Sequence, residues 1–187
     1  MSNELDIFRA YPVEMQPIET VMRVSAVKRW HMIETVRTQT LAEHSANVAL
    51  LAMVIARMAP MEYFDTYAAV GIAALVHDVS EVFTGDIPTP TKKFVNGINE
   101  LELRLTHPVF VGAVNGNSDA LIKMCDLADG IRFIRIHRVD TTGTHAQRAL
   151  EDQLATRIKA AEVVLEWPDH LVAHVLRCLQ FYMYERY

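Results

Sequence analysis

A histidine and three carboxylates fall within ten residues in the stretch Leu75-Val76-His77-Asp78-Val79-Ser80-Glu81-Val82-Phe83-Thr84-Gly85-Asp86. Imidazole and carboxylate hold borderline and hard divalent cations and move protons near neutral pH. The preceding run from Tyr67 to Val76 is apolar nearly all round, as in a helix buried inside a domain, and the polar residues arrive as it ends. If the helix continues, Glu81 follows His77 by four residues and Asp78 by three, so the three share one side of its last turns. Taken alone, such a pair reads as a solvated helix end with one satisfied histidine. Further donors change the balance: His44 lies on a second apolar segment, and Asp126 on a third, with Asp129 one turn beyond it. Two imidazoles and two carboxylates make a mixed nitrogen and oxygen shell that suits a divalent ion such as Zn²⁺, Co²⁺, Mn²⁺ or Ni²⁺.

The elements that must position these groups are legible from periodicity and caps. Ile18, Val21, Met22, Val24 and Val27 predict a short helix from Ile18 to Trp30 that delivers Lys28, Arg29 and Trp30 at its end, followed by a loop over His31–Gln39. Thr40-Leu-Ala-Glu43 fits a capping box, with Thr40 accepting from the backbone and Glu43 reaching back, so His44 stands in the first turn of a helix running to about Met58. Asp65 or Thr66 caps the next helix, which ends near Gly85, and Pro88 and Pro90 predict extended chain over Asp86–Thr91. A less regular helix starts at Lys92. Ser118 caps a helix to about Val139 that carries Asp126, Thr144–Leu165 reads as a largely solvent-facing helix, and a final helix follows Trp167-Pro168. No β alternation is present, so the expected fold class is an all-α bundle of six or seven helices, one domain over residues 1–187 with an N-terminal arm at 1–17.

Composition bounds the function classes. A chain of 187 residues that is 51% hydrophobic and 22% charged suits one globular core. A net charge of -5 argues against a broad nucleic-acid footprint, so an anionic ligand needs a local basic pocket. The absence of a leader-like start and of an obvious 18-residue apolar run predicts a cytoplasmic protein with no membrane partner. Cys125 and Cys178 are expected as buried free thiols.

Together, His44, His77-Asp78 and Asp126 resemble the H…HD…D signature of the HD-domain metal-dependent phosphohydrolases, a helical superfamily. The blocks Arg29-Trp30, Arg37-Thr38, Ala42-Glu43-His44-Ser45, His77-Asp78-Val79-Ser80-Glu81-Val82 and Thr84-Gly85-Asp86-Ile87-Pro88-Thr89-Pro90-Thr91-Lys92 resemble those of YfbR-type 5'-deoxynucleotidases and of phage DatZ-type dATP triphosphohydrolases. The likeness covers roughly residues 18–140. A shorter span between Asp78 and Asp126 than in the YfbR type leans toward the DatZ-like branch. The resemblance implies His44, His77, Asp78 and Asp126 as metal ligands, Asp126 being preferred to Asp129 because Lys123-Met-Cys-Asp126-Leu-Ala matches the family's final-aspartate helix. It implies Glu81 to orient or deprotonate the attacking water, and Asp86 to serve the leaving group or the sugar. Arg29 and Lys92 are expected on phosphate, Trp30 as a stacking face for the base with Pro90 as a possible opposite wall, and Met32 as a bulky neighbour of the purine 2-position. The implied substrate is a small-molecule deoxynucleotide, dATP by the DatZ-like resemblance, with deoxynucleoside monophosphates as the alternative and a non-catalytic nucleotide-binding module as the third reading. The implied assembly is a homo-oligomer.

Overall fold

Helix α2 (Leu41–Met58) begins where the sequence places it, with Thr40 accepting from the Glu43 amide, and buries Leu41, His44, Ser45, Val48, Ala49, Ala52, Ile55 and Ala56 along one stripe. The computed structural model describes residues 15–185 except 93, 112 and 113, with the side chains of Thr89, Pro90 and Asn99 also outside the description. Most of the predicted N-terminal arm, residues 1–14, lies outside the described residues. The remaining helices are α1 (Gln16–Val24), α3 (Tyr67–Val76), α4 (Glu81–Thr84), α5 (Thr89–Lys92), α6 (Ile98–Leu105), α7 (Gly116–His137), α8 (Thr141–Val164) and α9 (Asp169–Tyr184). Seven of these have eight residues or more among the described residues, as an all-α bundle requires.

The core forms where α2 packs against α3 and α7, with α8 and α9 closing the far side of α7. Leu121, Met124, Cys125, Ala128, Ile131 and Ile134 of α7 are fully buried, each large apolar one contributing about 1.5–3 kcal/mol. By length and composition alone α2 and the 67–84 segment pass for membrane spans, a point the sequence reading did not register. Both carry polar site residues inward, and their apolar character is that of core helices here.

Several boundaries differ from expectation for identifiable reasons. The predicted helix over Ile18–Trp30 stops at Val24, and Lys28–Arg29 instead forms β1, paired antiparallel with β2 (Gln39–Thr40) so that Arg29 faces Gln39. Ladder hydrogen bonds with Gln39 and Thr40, whose partners Arg29 and Lys28 lie 10 and 12 residues away, override a local apolar pattern. Helix α3 ends at Val76, and the chain then winds tightly, with Val79, Glu81 and Phe83 amides each donating three residues back, before α4 begins at Glu81. The 86–91 segment is not extended throughout: Thr89–Lys92 forms one helical turn with Pro90 in it, where a missing amide hydrogen costs nothing. Asn115, not Ser118, caps α7, and Ser118 instead accepts from the Asp65 amide. Asp140 caps α8, absorbing the predicted turn at Thr141–Thr144 into the helix. Glu43 completes only half of its capping box, because Arg37 holds its carboxylate at 2.8 and 2.6 Å.

Candidate functional site

Three chain segments bring the sequence-predicted donors together. His44 comes from the first turn of α2, His77 and Asp78 from the tight winding after α3, and Asp126 from the middle of α7; one ligand-type atom of each lies within 4.8 Å of every other. His44 Nε2 stands 3.0 Å from Asp126 Oδ1 and 3.7 Å from Asp78 Oδ2. His77 Nε2 stands 3.2 Å from Asp78 Oδ2 and 4.0 Å from Asp126 Oδ1.

The other nitrogen of each imidazole is already committed. His77 Nδ1 donates to the Ala74 carbonyl at 2.7 Å, and His44 Nδ1 donates to Asp129 Oδ2 at 2.7 Å. Both Nε2 atoms are buried and make no hydrogen bond. A buried, lone-pair-bearing Nε2 whose partner nitrogen is fixed by a carbonyl or carboxylate is the arrangement that metal-binding histidines adopt. The donor set therefore fits a divalent cation.

Asp129, the alternative ligand, has a different task. Its side chain is 2% exposed, and it accepts from His44 and Gln39 on Oδ2 and from Asn47 and Tyr182 on Oδ1 at 2.7–3.0 Å. Being one turn on from Asp126, it supports the imidazole from behind while Asp126 faces the cluster. Burial alone would raise Asp129, but the donors around it, His44 first, hold its carboxyl below the usual range. Gln39, Asn47 and Tyr182 were not read from the sequence; a polar residue in a strand of two and a tyrosine on the last helix carry no local signal.

Arg29 sits over the acidic side of the site. Its Nη1 is 3.0 Å from Asp78, 3.6 Å from Glu81 and 3.9 Å from Asp86, and its Nη2 is 3.8 Å from Asp126. Glu81 is buried, and burial followed by the charge of Asp78 pushes its carboxyl up to about 8. Its Oε1 accepts from Lys92 at 3.2 Å, while Oε2 has no hydrogen-bond partner. Lys92 is held between Glu81 and Glu102, the latter at 2.8 Å and unforeseen. Burial lowers the His77 imidazole, but Asp78 beside it outweighs that and brings it up to about 9. Asp78 itself, despite burial, is held well down by His77 and Arg29.

A cavity of about 250 Å³ opens from this cluster, lined at one end by Asp78, Glu81, Asp126, Arg29 and Lys92. Its other end is walled by Trp30, Met32 and the α8 residues Ala146, Ala149, Leu150 and Gln153. Helix α8 is largely solvent-facing, as its sequence suggested, with Gly143, Leu154 and Ala161 buried, and it also contributes one face to the cavity. Trp30 takes φ 64°, its amide donates to Asp86 Oδ2 at 3.2 Å, and its indole Nε1 donates to Gln39 at 2.7 Å. The ring stacks on Phe133 at 6.4 Å and crosses Gly130, where a Cβ would lie 3.1 Å from it. Asp86 therefore anchors the Trp30 backbone. Met32 is 68% exposed at the cavity mouth. Pro90, the expected opposite wall, has its side chain outside the described atoms.

Residues 17–105, just under half of the chain, match the family model for 5'-deoxynucleotidase YfbR-like proteins. A dATP triphosphohydrolase of Salmonella phage PMBT28 is 40% identical over 88 residues, covering 44% of this chain and 45% of that one. The 5'-deoxynucleotidase YfbR of Escherichia coli O1:K1 / APEC is 40% identical over 74 residues, 38% of this chain and 37% of that one, so against both relatives the match spans less than half of their length. A dATP triphosphohydrolase of cyanophage S-2L is 27% identical over 163 residues, covering 85% of this chain and 93% of that one. The solved structure of the cyanophage S-2L HD phosphohydrolase DatZ, bound to dA and one catalytic Zn²⁺ ion, superposes with TM-score 0.72 at 23% identity over 87% of this chain and 93% of that one, a likeness of fold. The helical frame, the half of the chain that carries Arg29 through Lys92, and the arrival of Asp126 from α7 agree with one another: residues 17–105 match the 5'-deoxynucleotidase YfbR-like family, and the chain shares the fold of the cyanophage HD phosphohydrolase.

Proposed function

We propose that this protein hydrolyses phosphate esters of 2'-deoxynucleotides in the cytoplasm, with dATP as its main substrate, using a divalent cation held by His44, His77, Asp78 and Asp126. The observation that carries this reading is the pair of buried, unbonded Nε2 atoms facing Asp78 and Asp126 at the end of a cavity whose far wall is aromatic and apolar. The full-length similarity to the cyanophage dATP triphosphohydrolase supports the substrate. We take the whole chain as a single domain.

His44, His77, Asp78 and Asp126 would hold the divalent cation, which when bound would supply Lewis-acid polarisation of a phosphoryl oxygen and a lowered pKa for the attacking water. Glu81 Oε2, buried, within 3.6 Å of Arg29 and without a hydrogen bond, orients that water and accepts its proton, a role for which a carboxyl raised to about 8 is matched to neutral pH. Arg29 and Lys92 supply positive charge to the phosphates, Arg29 as a planar fork. Trp30 presents its indole to the base, and Met32 crowds the purine 2-position. Asp86, fixed by the Trp30 amide, serves the sugar or the leaving oxygen.

The second reading, a 5'-deoxynucleotidase confined to monophosphates, is favoured by the family-model match. Phosphate release from dATP, dGTP and dAMP, with and without chelator, separates the two. The expected result is chelator-sensitive hydrolysis of dATP, with dGTP poorer by about ten- to two-hundredfold and the gap narrowed in Met32→Ala. Activity on dAMP alone selects the second reading, and phosphate release unaffected by chelator refutes both.

The same reading includes self-assembly. Leu50, Val54 and Met58 at four-residue spacing on α2, with Ile72 and Leu75 on α3, are each more than half exposed and form an apolar face. Light scattering that gives the mass of a single chain at micromolar concentration refutes assembly.

A further inference from the structure

The α8 wall of the cavity contains one polar side chain without a task. Ala146, Ala149, Leu150 and Gln153 follow one another at helical spacing along α8, and Gln153 alone of the four carries hydrogen-bonding atoms. Leu150 lies against the same Gly130 that the Trp30 ring crosses, which puts Gln153 one turn of α8 beyond the edge of the indole. The side chain is half-buried, and its amide makes no hydrogen bond among the described residues. Its neighbours contrast with it: Gln147 bonds to Glu151, and Gln39 bonds to both Trp30 and Asp129. A half-buried amide offers two donors and an acceptor, and here the side chain lines the cavity and is open to a ligand.

We infer that Gln153 reads the polar edge of the nucleobase. The inference rests on the proposed nucleotide site and adds to it the residue that recognises the base by hydrogen bonding. A glutamine amide matches an adenine edge in register: its carbonyl accepts from the exocyclic amine while its N–H donates to the adjacent ring nitrogen, a bidentate pair worth about 1–3 kcal/mol. Stacking on Trp30 tolerates any base, and the crowding at Met32 acts on one ring position, so neither rewards the amine that distinguishes adenine from unsubstituted purine. Gln153 supplies that reward.

The test uses equilibrium binding of 2'-deoxyadenosine, 2'-deoxyguanosine and the 2'-deoxyriboside of unsubstituted purine, measured by calorimetry, which needs no turnover. Wild-type protein binds deoxyadenosine about 2- to 13-fold more tightly than the unsubstituted purine nucleoside, the span of the one hydrogen bond to the exocyclic amine. Gln153→Leu brings that ratio to about one, weakening deoxyadenosine more than the unsubstituted nucleoside, which loses only the bond to its ring nitrogen. Gln153→Glu, which only accepts, lowers the ratio of deoxyadenosine to deoxyguanosine binding, because guanine presents two adjacent donors. Thermal unfolding near the wild-type temperature in either variant qualifies the measurement, and the two variants make it independent of one failing to fold. Nucleoside ratios unchanged in both variants overturn the inference. Gln153-dependent binding in a protein that releases no phosphate supports the inference while overturning the proposed activity.

Discussion

Replacing Asp129 by alanine separates support of the site from membership in it. The substitution removes the acceptor of four donors, and they are not equivalent. Asn47 and the Tyr182 hydroxyl are partly buried and can turn toward water, but His44 and Gln39 are 0% and 1% exposed and cannot. Two stranded buried donors at about 1–3 kcal/mol each give a loss of about 2–6 kcal/mol. Taking about 4 kcal/mol and about 2–4 °C per kcal/mol for a chain of this size, Tm falls by roughly 8–16 °C. The His44 ring also loses the acceptor that holds its proton on Nδ1, so Nε2 carries the hydrogen part of the time, and cation affinity falls by about ten- to a hundredfold. Asp126→Ala is the comparison: its side chain is 32% exposed, so the expected outcome is lost cation binding with a smaller loss of Tm. The assay is thermal unfolding of both metal-free variants followed by calorimetric titration with Zn²⁺. Asp129→Ala within 2 °C of wild type and with unchanged affinity would refute the argument, as would a larger Tm loss in Asp126→Ala.

Glu81 gives a pH dependence with a defined sign. Its carboxyl is raised from 4.5 to about 8 in the fold, so the stability it contributes is complete below about 4.5 and is lost as pH rises through about 8. His77, raised from 6.5 to about 9, acts in the same direction between those values. Metal-free protein should lose Tm steadily from pH 6 to 9, and Glu81→Gln should reduce the slope while keeping cation affinity and lowering kcat; an unchanged slope refutes the assignment. Gly130→Ala pushes a methyl against the Trp30 ring at 3.1 Å and Leu150 at 3.4 Å, while Gln39 and Phe133 hold the indole from other sides. We expect KM for dATP to rise about fivefold, a loss of about 1 kcal/mol, with kcat held. A raised kcat or an unaltered KM would show that the indole does not meet the base.

What could be read from residues alone divides along a physical line. His44, His77, Asp78 and Asp126 were visible because ligand chemistry demands particular side chains, and the apolar stripes of α2 and α7 made their helices plain. The role of Asp129 was not decidable, since residues three apart on a helix share a face and only the third dimension shows which one faces the imidazole's back. The β1–β2 ladder was invisible because two-residue strands have no period. It is this ladder that turns Arg29 and Trp30 toward the site, where a continuing helix would have carried them past it. Helix α8 is solvent-facing along most of its length, as its polar pattern indicated, but its place on the cavity through Ala146, Ala149 and Leu150 left no mark because so small a stripe has no period of its own.

The cavity is assembled from two lengths of chain with different responsibilities. Arg29, His44, His77, Asp78, Glu81 and Lys92 all precede Leu105, whereas the wall formed by Gly130, Ala146, Ala149, Leu150 and Gln153 comes entirely after it. The groups proposed to handle phosphate therefore lie on the earlier stretch, while the cavity wall is shared between Trp30 and Met32 there and α8 on the later one, with Asp126 on the helix between them. Change in the later stretch can therefore reshape the α8 side of the cavity while His44, His77, Asp78 and Glu81 stay as they are.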